Sequence, residues 1–81
     1  MVIKVLGSGC ARCHETERRV MNALAQLGVS ADVGKVTDVK EIMSFGVLGT
    51  PAVVINDKVK CYGRIPTVDE IKKWIGEEVT K

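Results

Sequence analysis

MVIKVLGSGCARC, residues 1–13, contains the pattern from which the rest of the chain can be read. Met1 to Leu6 is a short, β-branched and nearly continuous apolar run that stops at Gly7-Ser8-Gly9, which predicts a buried strand followed by a turn. Cys10 comes directly after that turn, and Cys13 follows after Ala11-Arg12. Beyond it Val20, Ala23, Leu24 and Leu27 fall at helical spacing and Gly28 supplies a stop, so a first helix is expected from Ala11 to Leu27.

A cysteine pair at a strand-to-helix junction has a definite chemistry. Unpaired N–H groups and the helix dipole at a helix N-terminus favour a negative sulfur. Such settings lower a thiol pKa from about 8.5 toward roughly 3.5–7.5, and only the thiolate attacks a disulfide. Arg12, between the two cysteines, adds positive charge. Cys13 lies one heptad before Val20 and two before Leu27, which turns it toward the buried face and leaves Cys10 at the exposed edge. Cys10 would then attack and Cys13 resolve.

The same residues leave two other chemistries open. Cys10-Ala11-Arg12-Cys13-His14 matches the c-type haem attachment pattern, with His14 as an iron ligand, although strands are expected where such cytochromes are helical. Two thiolates in a loop before a helix also suit copper or zinc transfer domains, although those commonly close on a strand. Outside these readings His14 is a solvated helix residue close enough to influence Cys10.

Working outward, Val29 to Val36 holds a second strand centred on Ala31 to Lys35, expected at a sheet edge. Asp38 with Glu41 resembles a capping box, and Val39, Ile42 and Phe45 form the stripe of a short helix ended by Gly46. Ala52-Val53-Val54-Ile55, the turn Asn56-Asp57, and the alternating Lys58-Val59-Lys60-Cys61-Tyr62 predict a hairpin. Thr67 with Glu70 forms a second capping box, and Val68, Ile71, Trp74 and Ile75 make the apolar face of a closing helix. The expected fold is α/β in the order β-α-β-α-β-β-α: a mixed four-stranded sheet flanked by helices.

With 81 residues the chain is expected to be a single domain, residues 1–81, since one core is already marginal at this size. The net charge of +2 comes from interspersed basic and acidic residues, so nucleic acid is not an expected partner. No apolar run approaches the roughly 20 residues of a membrane helix, and no charged and apolar leader opens the chain. A cytoplasmic monomer without membrane contact is the expectation. An odd count of three cysteines also argues against a structural disulfide framework.

Phe45-Gly46-Val47-Leu48-Gly49-Thr50-Pro51-Ala52-Val53-Val54-Ile55 strongly resembles the thioredoxin segment in which an aromatic-Gly-aliphatic element leads into a cis-proline and a hairpin. Together with the upstream Cys-x-x-Cys, it implies a thioredoxin-like fold over essentially the whole chain. The length and the Gly7-Ser8-Gly9-Cys10 approach resemble the small redox-active disulfide proteins related to thioredoxin and glutaredoxin. The resemblance implies a thiol-disulfide oxidoreductase with Cys10 and Cys13 as the catalytic dithiol, needing no bound cofactor. Arg12, Thr50, Pro51 and Gly63 would meet the substrate, with the Thr50 backbone pairing to an extended chain by strand addition. Partners would be disulfide-bearing proteins or small disulfides, and a reductase or glutathione-like electron donor.

The chain departs from the patterns of the families it resembles at defined places. Gly9 stands where thioredoxins carry Trp, and Ala11-Arg12 replaces Gly-Pro or the Pro-Tyr of glutaredoxins. Thioredoxins carry a buried acid six positions before the first cysteine, where this chain has Lys4. A Lys4 facing the site would favour thiolate. Cys61, alternating with Val59, is expected to point into the core as an inert thiol.

Overall fold

The computed structural model describes residues 1–7, 11–47 and 49–79. The elements follow the expected order: β1 (Val2–Leu6), α1 (Ala11–Leu27), β2 (Asp32–Val36), α2 (Val39–Ser44), β3 (Ala52–Ile55), β4 (Lys58–Tyr62) and α3 (Val68–Val79). The four strands form one mixed sheet in the order β2-β1-β3-β4. β1 runs parallel to β2, through the α1 crossover, and antiparallel to β3, which pairs antiparallel with β4. β1 and β3 therefore occupy the centre, which explains their nearly unbroken apolar runs: such strands bury both faces. β2 lies at an edge, as expected.

The two faces are covered unequally. Ile3, Val5, Val53 and Ile55 pack against Val20, Ala23 and Leu24 of α1 and Ile71 and Ile75 of α3. On the other face, among the described residues, Leu6, Val36, Ala52 and Val54 cluster with Ile42 of the six-residue α2 and with Val47 and Phe45.

Cap chemistry sets the helix ends. At the end of α1, Val29 N–H donates to Leu24 C=O at 3.1 Å and Gly28 N–H to Ala25 C=O at 3.3 Å, with Gly28 at φ 66°. This is a Schellman motif, which glycine adopts without a Cβ penalty. α3 opens on a complete capping box: Thr67 Oγ1 accepts from Glu70 N–H at 3.1 Å, and Glu70 Oε1 accepts from Thr67 N–H at 3.1 Å. α2 departs from the expected box, because Asp38 Oδ1 takes the Lys40 N–H at 2.9 Å, one residue earlier than a box would place it.

Other departures have local causes. Leu27 and Val39, expected on apolar stripes, are exposed; Leu27 is the last residue of α1 and Val39 the first of α2. In the hairpin, Asn56 and Asp57 both adopt positive φ, 50° and 65°, as a two-residue type I′ turn requires. The pairing then slips: Ile55 faces Lys58 and Val54 faces Val59, but Val53 faces Cys61, leaving Lys60 as an extra residue in a bulge. Val59 and Cys61 therefore lie on opposite faces, contrary to simple alternation. Cys61 still reaches the core of the α1–α3 face. Lys60 leans toward α3, with Nζ 3.2 Å from Glu78 Oε2.

Candidate functional site

The site is assembled where β1 hands over to α1. Gly7 extends the strand by one residue, donating its N–H to Val36 C=O at 2.9 Å. A Cβ built on Gly7 would run into Cys13 Sγ, and it would stand 3.2 Å from Cys13 Cβ and 3.9 Å from Thr50 Cβ. The bare glycine thus forms a notch that admits the Cys13 side chain, with Thr50 on its far side. Cys13 is the third residue of α1 and is buried, within the first turn where N–H groups have no intrahelical partner. One turn further, the buried Thr16 hydroxyl donates to Arg12 C=O at 2.9 Å, and among the described residues no buried side-chain N or O atom is left without a partner. Cys10 lies outside the described residues.

The second wall comes from the segment before β3. The Thr50–Pro51 peptide is cis, as the thioredoxin resemblance implied. Pro51 C=O accepts from Gly63 N–H at 3.0 Å. Gly63, at φ 78°, lies opposite Gly49, where an added Cβ would stand 3.3 Å from Gly63 Cα. Two glycines let the ends of the segments around β3 and β4 close up behind Pro51, which is fully buried while Thr50 stays half-exposed. Of the residues singled out from the sequence, Cys13, Thr50, Pro51 and Gly63 converge. Arg12 is exposed on the helix surface.

A small pocket opens beside the Cys13 thiol, lined by Val5, Gly7, Cys13, His14 and Lys35. Lys35 is the residue that sequence reasoning missed. The clue lay in register: β2 pairs Lys35 with Val5, so both project toward α1, where Lys35 Nζ stands 3.3 Å from Glu17 Oε2. Lys4 does not face the site. It alternates with Ile3 and Val5 and so projects to the α2 side, where its Nζ lies 5.5 Å from the Phe45 ring centroid in a cation–π contact. Burial pushes the Cys61 thiol pKa up, with partial opposition from the nearby Arg64 charge, as befits an unreactive core thiol. Arg64, just past Gly63, is clamped by Glu70 through both guanidinium ends, at 2.9 and 2.6 Å. That pairing, with the Thr67 N–H, draws the Glu70 carboxyl down to about 2.

Among the described residues no group of three or more His, Cys, Asp or Glu side chains is placed to hold a metal ion. No described helix is long and apolar enough to cross a membrane.

Comparison with known proteins gives one consistent result. Residues 1–76 match the thioredoxin domain family. The chain is 42% identical over 73 residues to a thioredoxin of Methanocaldococcus jannaschii, covering 90% of this chain and 84% of the relative. It is 32% identical over 73 residues to a thioredoxin of Methanothermobacter thermautotrophicus, covering 90% and 95%. A probable thioredoxin of Archaeoglobus fulgidus is 35% identical over 69 residues, covering 82% and 75%. These relatives lend no support to the soft-metal carrier reading. Matches of this extent, on a fold that seats Cys13 in the Gly7 notch and carries a cis Thr50–Pro51 peptide, mean that the chain belongs to the thioredoxin domain family.

Proposed function

We propose that the chain carries out thiol-disulfide exchange through a Cys10–Cys13 dithiol, acting as a single domain over residues 1–81. Family membership supplies the reaction class: it is a thiol-disulfide oxidoreductase. The observation that carries the residue assignment is the Cys13 thiol held in the Gly7 notch next to Thr50. A buried thiol one helical turn from an attacking cysteine suits resolution, because it meets a mixed disulfide without competing for the first encounter.

In the first step the Cys10 thiolate attacks one sulfur of a substrate disulfide and the other substrate sulfur leaves as a thiolate. Cys13 then loses its proton and attacks Cys10. The Cys10–substrate bond breaks, the Cys10–Cys13 disulfide forms, and the substrate has gained two electrons and two protons. Thr50, Pro51, Gly63 and Arg12 are the proposed substrate contacts, with Thr50 presenting its backbone to an extended chain. The substrates are protein or small-molecule disulfides, the electron donor a reductase or a glutathione-like thiol, and the setting the cytoplasm.

Insulin-disulfide reduction tests the assignment. Cys10→Ser should abolish turnover, whereas Cys13→Ser should accumulate a mixed disulfide detectable by mass. Full turnover in Cys10→Ser would overturn it.

A further inference from the structure

Cys13 must shed a proton before it can attack, and among the described residues no carboxylate lines the pocket beside it to take that proton. Among the described residues, its lining consists of the Val5 side chain, the Gly7 backbone, Cys13, His14 and Lys35. Lys4 is on the other side of the sheet, engaged with Phe45. Lys35 arrives from β2 instead, and Glu17, one turn beyond Cys13 on α1, holds its ammonium at 3.3 Å. Both partners remain partly exposed, with side chains 46% and 30% accessible, so the pair connects the pocket to bulk water.

We infer that Lys35 is a positioning residue for the resolving step, its cation stabilising the Cys13 thiolate while the thiol proton passes to bulk water. The inference rests on the dithiol reading above. During resolution the Cys13 proton goes to solvent, its sulfur lone pair forms the bond to Cys10, and the Cys10–substrate bond breaks. The released substrate thiolate takes a proton from water. In this route no buried carboxylate has to accept and return a proton. Among the described residues, the charged and titratable groups flanking Cys13 are Arg12, His14 and Glu17 from α1 and Lys35 from β2, while Val5, Gly7 and Thr50 contribute none. A neighbouring opposite charge favours the ionised thiol, and partial exposure of Lys35 moderates the effect.

The test uses reduced protein with 5,5′-dithiobis(2-nitrobenzoate), followed by stopped flow. Attack by Cys10 releases a first thionitrobenzoate, and attack by Cys13 releases a second. Reactivity of Cys61 is counted in a Cys10→Ser, Cys13→Ser double variant. In Lys35→Met the ratio of second to first phase rates should fall about three- to tenfold at neutral pH. The pH midpoint of the second phase should rise, and Lys35→Arg should restore both. Comparing variants at fixed Arg12, His14 and Glu17 isolates the Lys35 charge. A parent that releases only one equivalent would sink the dithiol reading, and this inference with it. A parent that releases two, with Lys35→Met matching it in ratio and midpoint, would overturn the Lys35 role alone. So would a slowed phase with an unmoved midpoint that Lys35→Arg fails to rescue, since that is the signature of packing rather than charge.

Discussion

The two faces of the sheet use neighbouring residues for opposite purposes. On the α1–α3 face, Val5 lies under a 17-residue and a 12-residue helix and forms part of the wall beside the Cys13 thiol. On the α2 face, Lys4 is covered by a six-residue helix and stacks its ammonium on Phe45, while Val39 and Met43 of that helix remain exposed. The larger apolar core and the Cys13 thiol thus lie on the same side. The structural reason is that the helix carrying Cys13 must be held firmly for its sulfur to stay in the Gly7 notch, and a long amphipathic helix packed on a second helix holds better than two turns alone.

The largest expected effect tests that asymmetry directly. Ile71→Ala, at a fully buried position between α3 and the sheet, should destabilise by about 2–5 kcal/mol in urea unfolding. Ile42→Ala on α2 should cost about 2 kcal/mol or less, because the short helix can shift to close the gap. Equal costs would show that both faces contribute alike. Next comes the notch. Gly7→Ala pushes a methyl into the place of Cys13 Sγ, which should destabilise the reduced protein by about 1–3 kcal/mol and raise the reactivity of Cys13 toward iodoacetamide as the sulfur is displaced. An unchanged melt and labelling rate would mean that the notch is roomier than its geometry indicates.

A smaller effect is expected where β4 meets α3. Glu70 has a folded-state pKa drawn down to about 2 by Arg64 and the cap N–H, below an ordinary carboxylate value of about 4.3 in the unfolded chain. A depressed pKa stabilises the fold above the unfolded value, and that contribution disappears as pH falls from about 4.3 through about 2. Glu70 is at the surface, so the effect is modest and screened by salt. Glu70→Gln should flatten the acid limb of the stability profile between those pH values. An acid limb identical to the parent's would locate the sensitivity in other carboxylates.

Local chemistry explains which features were legible from sequence. The ends of α1 and α3 could be read because Gly28 and the Thr67–Glu70 pair terminate and open helices through bonds to their own neighbours. The fold followed from two segments, residues 1–13 and 45–55, whose strand, turn and proline signals agree. Features set by pairing between distant strands were not legible. The bulge at Lys60 puts Val59 and Cys61 on opposite faces without any glycine or proline to mark it. Lys35 could be assigned to the site only once the β1–β2 register was known, because loose alternation around Gly34 leaves the facing of β2 open. The facing of Lys4, left open by a spacing carried over from thioredoxins, is decided by Ile3 and Val5 on either side, which claim the α1 face.

That last point yields the smallest predicted effect and the cleanest control for Lys35. Lys4→Met removes a charge of the same sign, on the same sheet, one strand away from Lys35. If the sheet transmitted charge to Cys13 without regard to face, both substitutions would slow resolution. With Lys4 directed at Phe45, its ammonium is separated from the thiol by the full thickness of the sheet, and only a long-range screened contribution remains. Lys4→Met should therefore leave the second thionitrobenzoate phase and its pH midpoint at parental values. Its stability should stay within about 1 kcal/mol of the parent, since the lost cation–π contact is offset by packing of the thioether on the ring. A midpoint that rises as far in Lys4→Met as in Lys35→Met would mean that overall positive charge, rather than the placement of Lys35 in the pocket, governs the resolving thiol.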